Sequence, residues 1–183
     1  MRAVLDACVL FPTVLREMLI GAARAGLYQP LWSDRILEEW ARATIKLGPA
    51  AEVIARGEIA LLRAEFPKAL VTEKPGLAER LWLPDPDDIH VLASAIAGGA
   101  DLILTFNAAD FPRHILQEEG LLRQDPDQLM LSLHDRFPAE IRAIAEAVQG
   151  EAERLSGQPQ PMRQLMKRAK LPKLGKRLSG PSD

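Results

Sequence analysis

The sequence predicts an α/β protein with a mainly parallel sheet, and one stretch carries most of this prediction. Asp85-Pro86 has the form of a helix start, and apolar residues then recur at helical spacing as far as Ala97. Gly98-Gly99 is a typical helix end. Leu102-Ile103-Leu104 follows as a short apolar run typical of a buried strand, and a polar loop begins at Thr105. Helix, glycine turn, buried strand and polar loop form half of a parallel α/β unit.

The other elements are predicted from the same kinds of signal. Most helices have a recognisable start, at Pro12-Thr13, Ser33, Asp125-Pro126 or Pro138. The predicted helices cover residues 12–25, 33–47, 50–65, 85–97, 125–136 and 138–155. The predicted strands cover residues 2–9, 28–32, 68–71, 102–104 and 121–122. Four apolar residues of the helix over residues 50–65 are expected on its inner face: Val53, Ile54, Ile59 and Leu62.

Length and composition indicate one main domain. A chain of 183 residues with 48% hydrophobic and 26% charged residues is typical of an ordinary globular protein. We expect a main domain over residues 1–135, a C-terminal helix over residues 136–157 and a tail over residues 158–183. The single cysteine, Cys8, excludes an intramolecular disulfide framework. No membrane-spanning run and no signal-peptide pattern are found, so a cytoplasmic protein is expected.

Charge is distributed unevenly along the chain. The tail over residues 158–183 has seven basic residues and one acid, a charge of +6. Because the net charge of the chain is −2, the first 157 residues carry −8. A basic tail on an acidic body is expected to contact something anionic, which is either nucleic acid or the acidic body itself.

Four acids lie where an α/β fold could bring them together. Asp6 follows the first strand, Glu39 lies in the second helix, Asp88 starts the helix before Leu102, and Asp110 follows Asn107 in the polar loop. Carboxylates gathered in one cleft stay ionised only if cations neutralise them, and Mg²⁺ or Mn²⁺ prefers such oxygen ligands. Such ions promote displacement at phosphorus, so the pattern favours phosphodiester hydrolysis.

Helical spacing separates these acids from their neighbours. Glu38 lies on a charged stripe facing water, whereas Glu39 lies at the edge of the apolar face. Asp87 shares a polar side with His90, whereas Asp88 shares the packed side of its helix. An alternative for both aspartates is helix capping without any functional role.

Other reactive side chains have simpler interpretations. Cys8 is expected to be a small buried hydrophobe. His90, His114 and His134 lack metal-binding spacing and are expected at the surface or on helix faces. No glycine-rich phosphate loop is present, because Gly98-Gly99 precedes a strand and does not follow one.

The sequence resembles the PIN-domain nucleases, in particular the VapC-type toxins of toxin–antitoxin modules. The resemblance covers about the first 135 residues and is carried by residues 4–10 (VLDACVL), 32–40 (WSDRILEEW), 85–88 (DPDD) and 100–112 (ADLILTFNAADFP). It implies a Rossmann-like, mainly parallel sheet flanked by helices, with a C-terminal helical extension. It also implies an endoribonuclease that depends on Mg²⁺ or Mn²⁺.

The resemblance also assigns roles to residues. Asp6, Glu39 and Asp88 match the first three acids of the family, as catalytic residues and metal ligands. At the fourth position many relatives have Thr-x-Asp, whereas this chain has Thr105-Phe106-Asn107, so Asn107 and Asp110 are interpreted as sharing that role. Thr105 would orient the site by hydrogen bonding.

Partners are implied in the same way. The resemblance implies an RNA substrate, an antitoxin that blocks the cleft, and a homodimer. Arg16 is a candidate RNA contact, with a solvated helix arginine as the alternative. The basic tail is interpreted as an extension that contacts RNA or the antitoxin. A competing hypothesis, supported by Asn107, is an inactive PIN-like scaffold that binds RNA or a protein partner without cutting.

Overall fold

The computed structural model describes residues 1–180 and contains a four-stranded, fully parallel sheet. The strands are β1 (Arg2–Leu5), β2 (Gln29–Leu31), β3 (Leu102–Leu104) and β4 (Leu122–Gln124), in the order β2-β1-β3-β4. Val4 pairs with Leu31 on one side and with Ile103 on the other. The predicted α/β class with a parallel sheet is confirmed.

The helices account for most of the chain. They are α1 (Ala7–Leu10), α2 (Thr13–Arg24), α3 (Asp34–Ala43), α4 (Pro49–Glu65), α5 (Ile89–Gly98), α6 (Arg113–Glu118), α7 (Pro126–Arg136), α8 (Pro138–Ser156), α9 (Met162–Arg168) and α10 (Pro172–Leu178). Short 3₁₀ turns lie at Thr44–Leu47, Ala78–Arg80 and Pro86–Asp88. No helix within residues 1–180 combines the length and apolar character needed to span a bilayer.

The chain forms two compact units. The first consists of Met1–Phe11 and Tyr28–Gln124 and contains the sheet with α1 and α3 to α6. The second consists of Pro12–Leu27 and the described residues from Asp125 on, so it contains α2 and α7 to α10. This grouping places α2 with the C-terminal helices, which the predicted division at residues 135 and 157 does not do.

Local signals explain the elements around the sheet in the first unit. Ser33 accepts a hydrogen bond from the backbone N–H of Ile36 and so caps α3. Asp85 accepts one from the N–H of Asp87 at the turn that leads into α5. Gly99 ends α5 with φ of 59°, a left-handed conformation that glycine adopts without steric cost. The predicted start of α3 and the predicted end of α5 are confirmed, whereas Asp85 caps a 3₁₀ turn and α5 itself begins at Ile89.

Three predictions for the first unit are wrong in detail. Strand β1 ends at Leu5, because the carbonyl of Asp6 accepts the N–H groups of Val9 and Leu10 and starts α1. The predicted strand over residues 68–71 contributes only an isolated bridge between Trp32 and Leu70. In α4, Val53 and Ile54 are 72% and 61% exposed, because the buried face is formed by Ala55, Ile59 and Leu62 at i, i+4 and i+7.

The second unit includes the basic tail as two ordered helices. Asp127 is 6% exposed, and its two carboxylate oxygens accept the N–H groups of Lys173 and Leu174 at 2.9 and 3.0 Å. Arg177 pairs with Asp135 at 2.7 Å. The apolar residues of the tail are buried: Leu165, Met166, Ala169, Leu171, Leu174 and Leu178. The alternative in which the tail contacts the protein itself is therefore supported for residues 158–180. Its last residues, 181–183, lie outside the described part.

Candidate active site

Asp6 stands at the carboxyl end of the central strand β1. Its backbone N–H donates to the carbonyl of Leu104, which continues the pairing with β3. The side chain is 4% exposed, and its Oδ2 accepts hydrogen bonds from Thr105 Oγ1 at 2.6 Å and from Cys8 Sγ at 3.1 Å. Two donors therefore fix the Asp6 carboxylate at the edge of the sheet where parallel α/β folds form their sites.

Thr105 connects the ends of three strands. Its N–H donates to the carbonyl of Gln124 at the end of β4, and its hydroxyl accepts from the N–H of Asn107 at 3.0 Å. Because the same hydroxyl donates to Asp6, it joins the polar loop to β1. These contacts agree with the orienting role predicted for Thr105, which itself stays a prediction.

Cys8 belongs to the hydrogen-bond network around Asp6 and Thr105. The sequence predicted only a small buried hydrophobe at this position. The backbone N–H of Phe106 donates to its Sγ at 3.3 Å. Burial, followed by the charge of Asp6, raises the pKa of the thiol to about 12. The sulfur therefore stays protonated at neutral pH, so it can donate to Asp6 but is a poor nucleophile.

Asp88 is half-buried and lies in a strongly anionic environment. Burial, followed by the charges of Asp6, Asp110 and Asp85, raises its pKa to about 6. Like charges raise the pKa of a carboxylate because its ionised form is destabilised. The charges of Asp6 and Asp110 therefore act on Asp88 within the first unit. His90 is the residue whose charge acts in the opposite direction and lowers the pKa of Asp88.

Glu39 has a different environment from the aspartates. Its Oε1 lies 2.9 Å from His90 Nε2 and accepts a hydrogen bond from Arg35 Nε at 3.2 Å. Burial acts to raise the pKa of Glu39, but His90, followed by Arg35, outweighs burial and holds the pKa below its usual range. Arg35 also donates to the carbonyl of Asp87 at 3.3 Å, so it links α3 to the turn before Asp88.

His90 and His134 lie on helices, in agreement with one of the two positions predicted for them, but they are buried and not at the surface. His90 is 5% exposed and His134 is 8% exposed. His90 faces Glu39, although its ring N–H is not aligned with that oxygen, and neither ring nitrogen has a hydrogen-bond partner among residues 1–180. Ser94, one turn later, is fully buried. The useful signal was that His90 and Ser94 are the only polar side chains in an otherwise apolar helix, spaced four residues apart.

The remaining predicted site residues are less tightly arranged. Asn107 is exposed, and its side chain makes no hydrogen bond to the described residues. Asp110 is half-buried and acts on Asp88 through its charge. Arg16 belongs to the second unit and is 4% exposed, so the alternative of a solvated helix arginine is wrong and its RNA contact stays a prediction.

No ready-made metal cluster is present in the described part of the chain. Within residues 1–180, no group of three or more His, Cys, Asp or Glu side chains is placed to hold a metal ion. The donor chemistry nevertheless suits a hard cation, because Asp6, Asp88 and Asp110 offer carboxylate oxygens, and burial followed by the charges of Asp6 and Asp110 raises the pKa of Asp88.

The comparison with protein families identifies the family of this chain. A family model described as PIN domain matches residues 2–109, a stretch that contains Asp6, Glu39, Asp88 and Asn107 and ends one residue before Asp110. No curated protein and no solved structure matches the chain significantly. Because the family match covers more than half of the sequence, the chain belongs to the PIN-domain family, whose members are generally nucleases that hydrolyse phosphodiester bonds.

Proposed function

We propose that the protein is a Mg²⁺- or Mn²⁺-dependent endoribonuclease, and that it is the VapC-like toxin of a type II toxin–antitoxin pair. The observation that supports the site most directly is the raised pKa of Asp88, caused by burial and by Asp6, Asp110 and Asp85. A carboxyl group whose pKa is raised by neighbouring carboxylates is suited to bind a divalent cation, since the cation removes their repulsion.

Asp6, Asp88 and Asp110 would hold the cation, with Glu39 and Asn107 as further oxygen ligands. When bound, the ion would lower the pKa of a water molecule and stabilise the charge that develops on phosphate oxygens. The protein's own contribution is to orient the ligands. Thr105 and Cys8 restrain Asp6, and Arg35 with His90 restrains Glu39.

Single-stranded or looped RNA is the proposed substrate class, because unpaired segments can enter a cleft. The first 157 residues carry −8, so positive charge for binding a polyanion must come from the metal, the tail or a partner. An antitoxin partner and a homodimer belong to the same proposal and rest on the resemblance to VapC-type toxins; a cytoplasmic location is proposed with them.

The decisive experiment is cleavage of total RNA by the purified chain with Mn²⁺, with EDTA, and with the Asp88→Asn variant. Discrete fragments that disappear with EDTA and with Asp88→Asn are expected. Asp87→Asn is the matched control, because Asp87 is the adjacent acid but is exposed, and this variant should still cut. Cleavage that persists in EDTA would point to a contaminating nuclease. Absence of both cleavage and Mn²⁺ binding would favour the non-cutting scaffold.

Asp88 also gives the protein a pH dependence that a cation should change. Between the ordinary pKa of 3.8 and the native value of about 6, the native state binds more protons than the unfolded state. The contribution of Asp88 to the free energy of unfolding therefore falls as pH rises through this range. A bound cation would offset this loss of stability only above about pH 6, where the Asp88 carboxylate is ionised.

We therefore expect Mn²⁺ to raise the thermal unfolding midpoint more at about pH 7.5 than at about pH 5. Scanning calorimetry with and without the ion measures this difference. It should be much smaller in Asp88→Asn. An equal shift at both pH values in the wild type would contradict a role for Asp88 in binding the ion.

A further inference from the structure

We propose that the exposed face of α9 and α10 binds the phosphate backbone of single-stranded RNA. The proposal concerns four exposed cations of these two helices, which we name together the basic face: Arg163, Lys167, Lys173 and Lys176. All four are exposed, and none has a side-chain hydrogen bond or ion pair to another of residues 1–180. The proposal rests on the proposed function for its substrate class and adds a second, non-catalytic surface that holds that substrate.

The local charge supports an anionic ligand. Residues 158–180 contain seven basic residues and no acid. Arg177 pairs with Asp135, and Arg168 hydrogen-bonds Gln160, so these two cations are already engaged. The basic face has no such compensation. Cations that lack internal partners bind phosphates with release of counterions, and this favours association at low salt.

The basic face is held by packing. Spacing of i, i+4 places Arg163 and Lys167 on one side of α9, and spacing of i, i+3 places Lys173 and Lys176 on one side of α10. At Gly175 a Cβ atom would lie 2.8 Å from Met166 Cβ and 3.3 Å from the carbonyl oxygen of Arg163, so the two helices approach closely there. Because the backbone is ordered before binding, less entropy is lost than with a flexible arm.

RNA fits this face better than a protein partner does. Protein interfaces depend on buried aromatic or apolar anchors at their centre. The large hydrophobic residues that are exposed in residues 1–180 include none from residues 158–180. A face with several cations and no exposed apolar anchor is suited to phosphate groups, which are contacted without sequence preference.

The test measures RNA binding without cleavage. The full chain carrying Asp88→Asn is titrated in EDTA against a fluorescently labelled single-stranded oligoribonucleotide, and anisotropy gives the association constant between about 50 and 200 mM KCl. Lys167→Ala with Lys173→Ala should make the slope of log K against log salt shallower by about 1.4, since each lost phosphate contact on a single strand is worth about 0.7.

A matched control separates the basic face from net charge. Lys68 and Lys74 are also exposed lysines without side-chain partners among the described residues, but they belong to the first unit. Lys68→Ala with Lys74→Ala removes the same charge and should leave the slope nearly unchanged. Equal slopes for the two double variants would overturn the proposal, because total charge alone would then explain binding.

The remaining outcomes are also informative. If the Lys167→Ala, Lys173→Ala variant keeps the parental slope and unfolds at the parental temperature, the proposal is wrong and the basic face is left to an acidic protein partner. RNA binding that requires the basic face, in a wild-type chain that cuts nothing with Mn²⁺, would leave this inference standing and remove the proposed nuclease function.

Discussion

Replacing Asp6 with asparagine is expected to lower RNA cleavage by about 10³-fold, which corresponds to about 4 kcal/mol of lost transition-state stabilisation. Asparagine removes the negative charge needed to hold a divalent cation but keeps one carbonyl oxygen that can accept the hydrogen bond from Thr105 Oγ1. The free energy of unfolding should therefore change little, and the loss can be assigned to the site.

Single-turnover cleavage of a defined oligoribonucleotide, compared at equal Mn²⁺, measures this loss, and calorimetric titration of Mn²⁺ measures the accompanying loss of affinity. Thr105→Val is a useful companion variant, because it removes the hydroxyl that donates to Asp6 while leaving the charge in place. We expect Thr105→Val to lie between the wild type and Asp6→Asn. Activity of Asp6→Asn within tenfold of the wild type would show that Asp6 is not required for the chemistry.

The largest effect on stability is expected from Asp127→Ala. Its buried carboxylate accepts the backbone N–H groups of Lys173 and Leu174, which are among the N–H groups that α10 cannot bond internally. Hydrogen bonds to a charged group are worth about 1.5–3 kcal/mol, and a lost helix cap costs about 1 kcal/mol, so we expect a loss of about 3 kcal/mol in the free energy of unfolding.

Urea unfolding followed by circular dichroism measures this change. Asp127→Asn is the matched control, because its single carbonyl oxygen can still accept one of the two N–H groups, so a smaller loss is expected. If alanine and asparagine were both as stable as the wild type, the carboxylate would not anchor α10, and the ordered basic face would need another explanation.

Elements specified by neighbouring residues could be predicted from the sequence. Ser33 and Asp85 act through backbone groups two or three residues away, and Gly99 acts through its own φ angle. Strand ends were predicted less well. β1 ends at Leu5 because the carbonyl of Asp6 accepts hydrogen bonds from the N–H groups of α1 and does not pair with a strand. The spacing of apolar residues does not predict this change.

The candidate site was partly predictable for a related reason. Asp6 and Asp88 could be predicted as site residues because Asp6 follows a strand and Asp88 lies at the start of a helix. The carboxyl ends of parallel strands meet at one edge of the sheet. The contact of Glu39 with His90 could not be predicted, because His90 belongs to a helix that begins fifty residues later in the chain, and spacing within α5 placed it only on a polar side shared with Asp87. The ordered docking of α9 and α10 depends likewise on Asp127, more than forty residues before Lys173.

The position of β1 in the sheet has a consequence for biosynthesis. β1 is the first strand of the described sheet in chain order and occupies an inner place between β2 and β3, and its Asp6 contacts Thr105 across a separation of 99 residues. A nascent chain that stops before Thr105 lacks both the second neighbour of β1 and the donor that restrains Asp6. Such long-range pairing also slows folding. A chain that ends before Thr105 therefore cannot complete the hydrogen-bonded network around Asp6, so truncated products should lack an ordered candidate site.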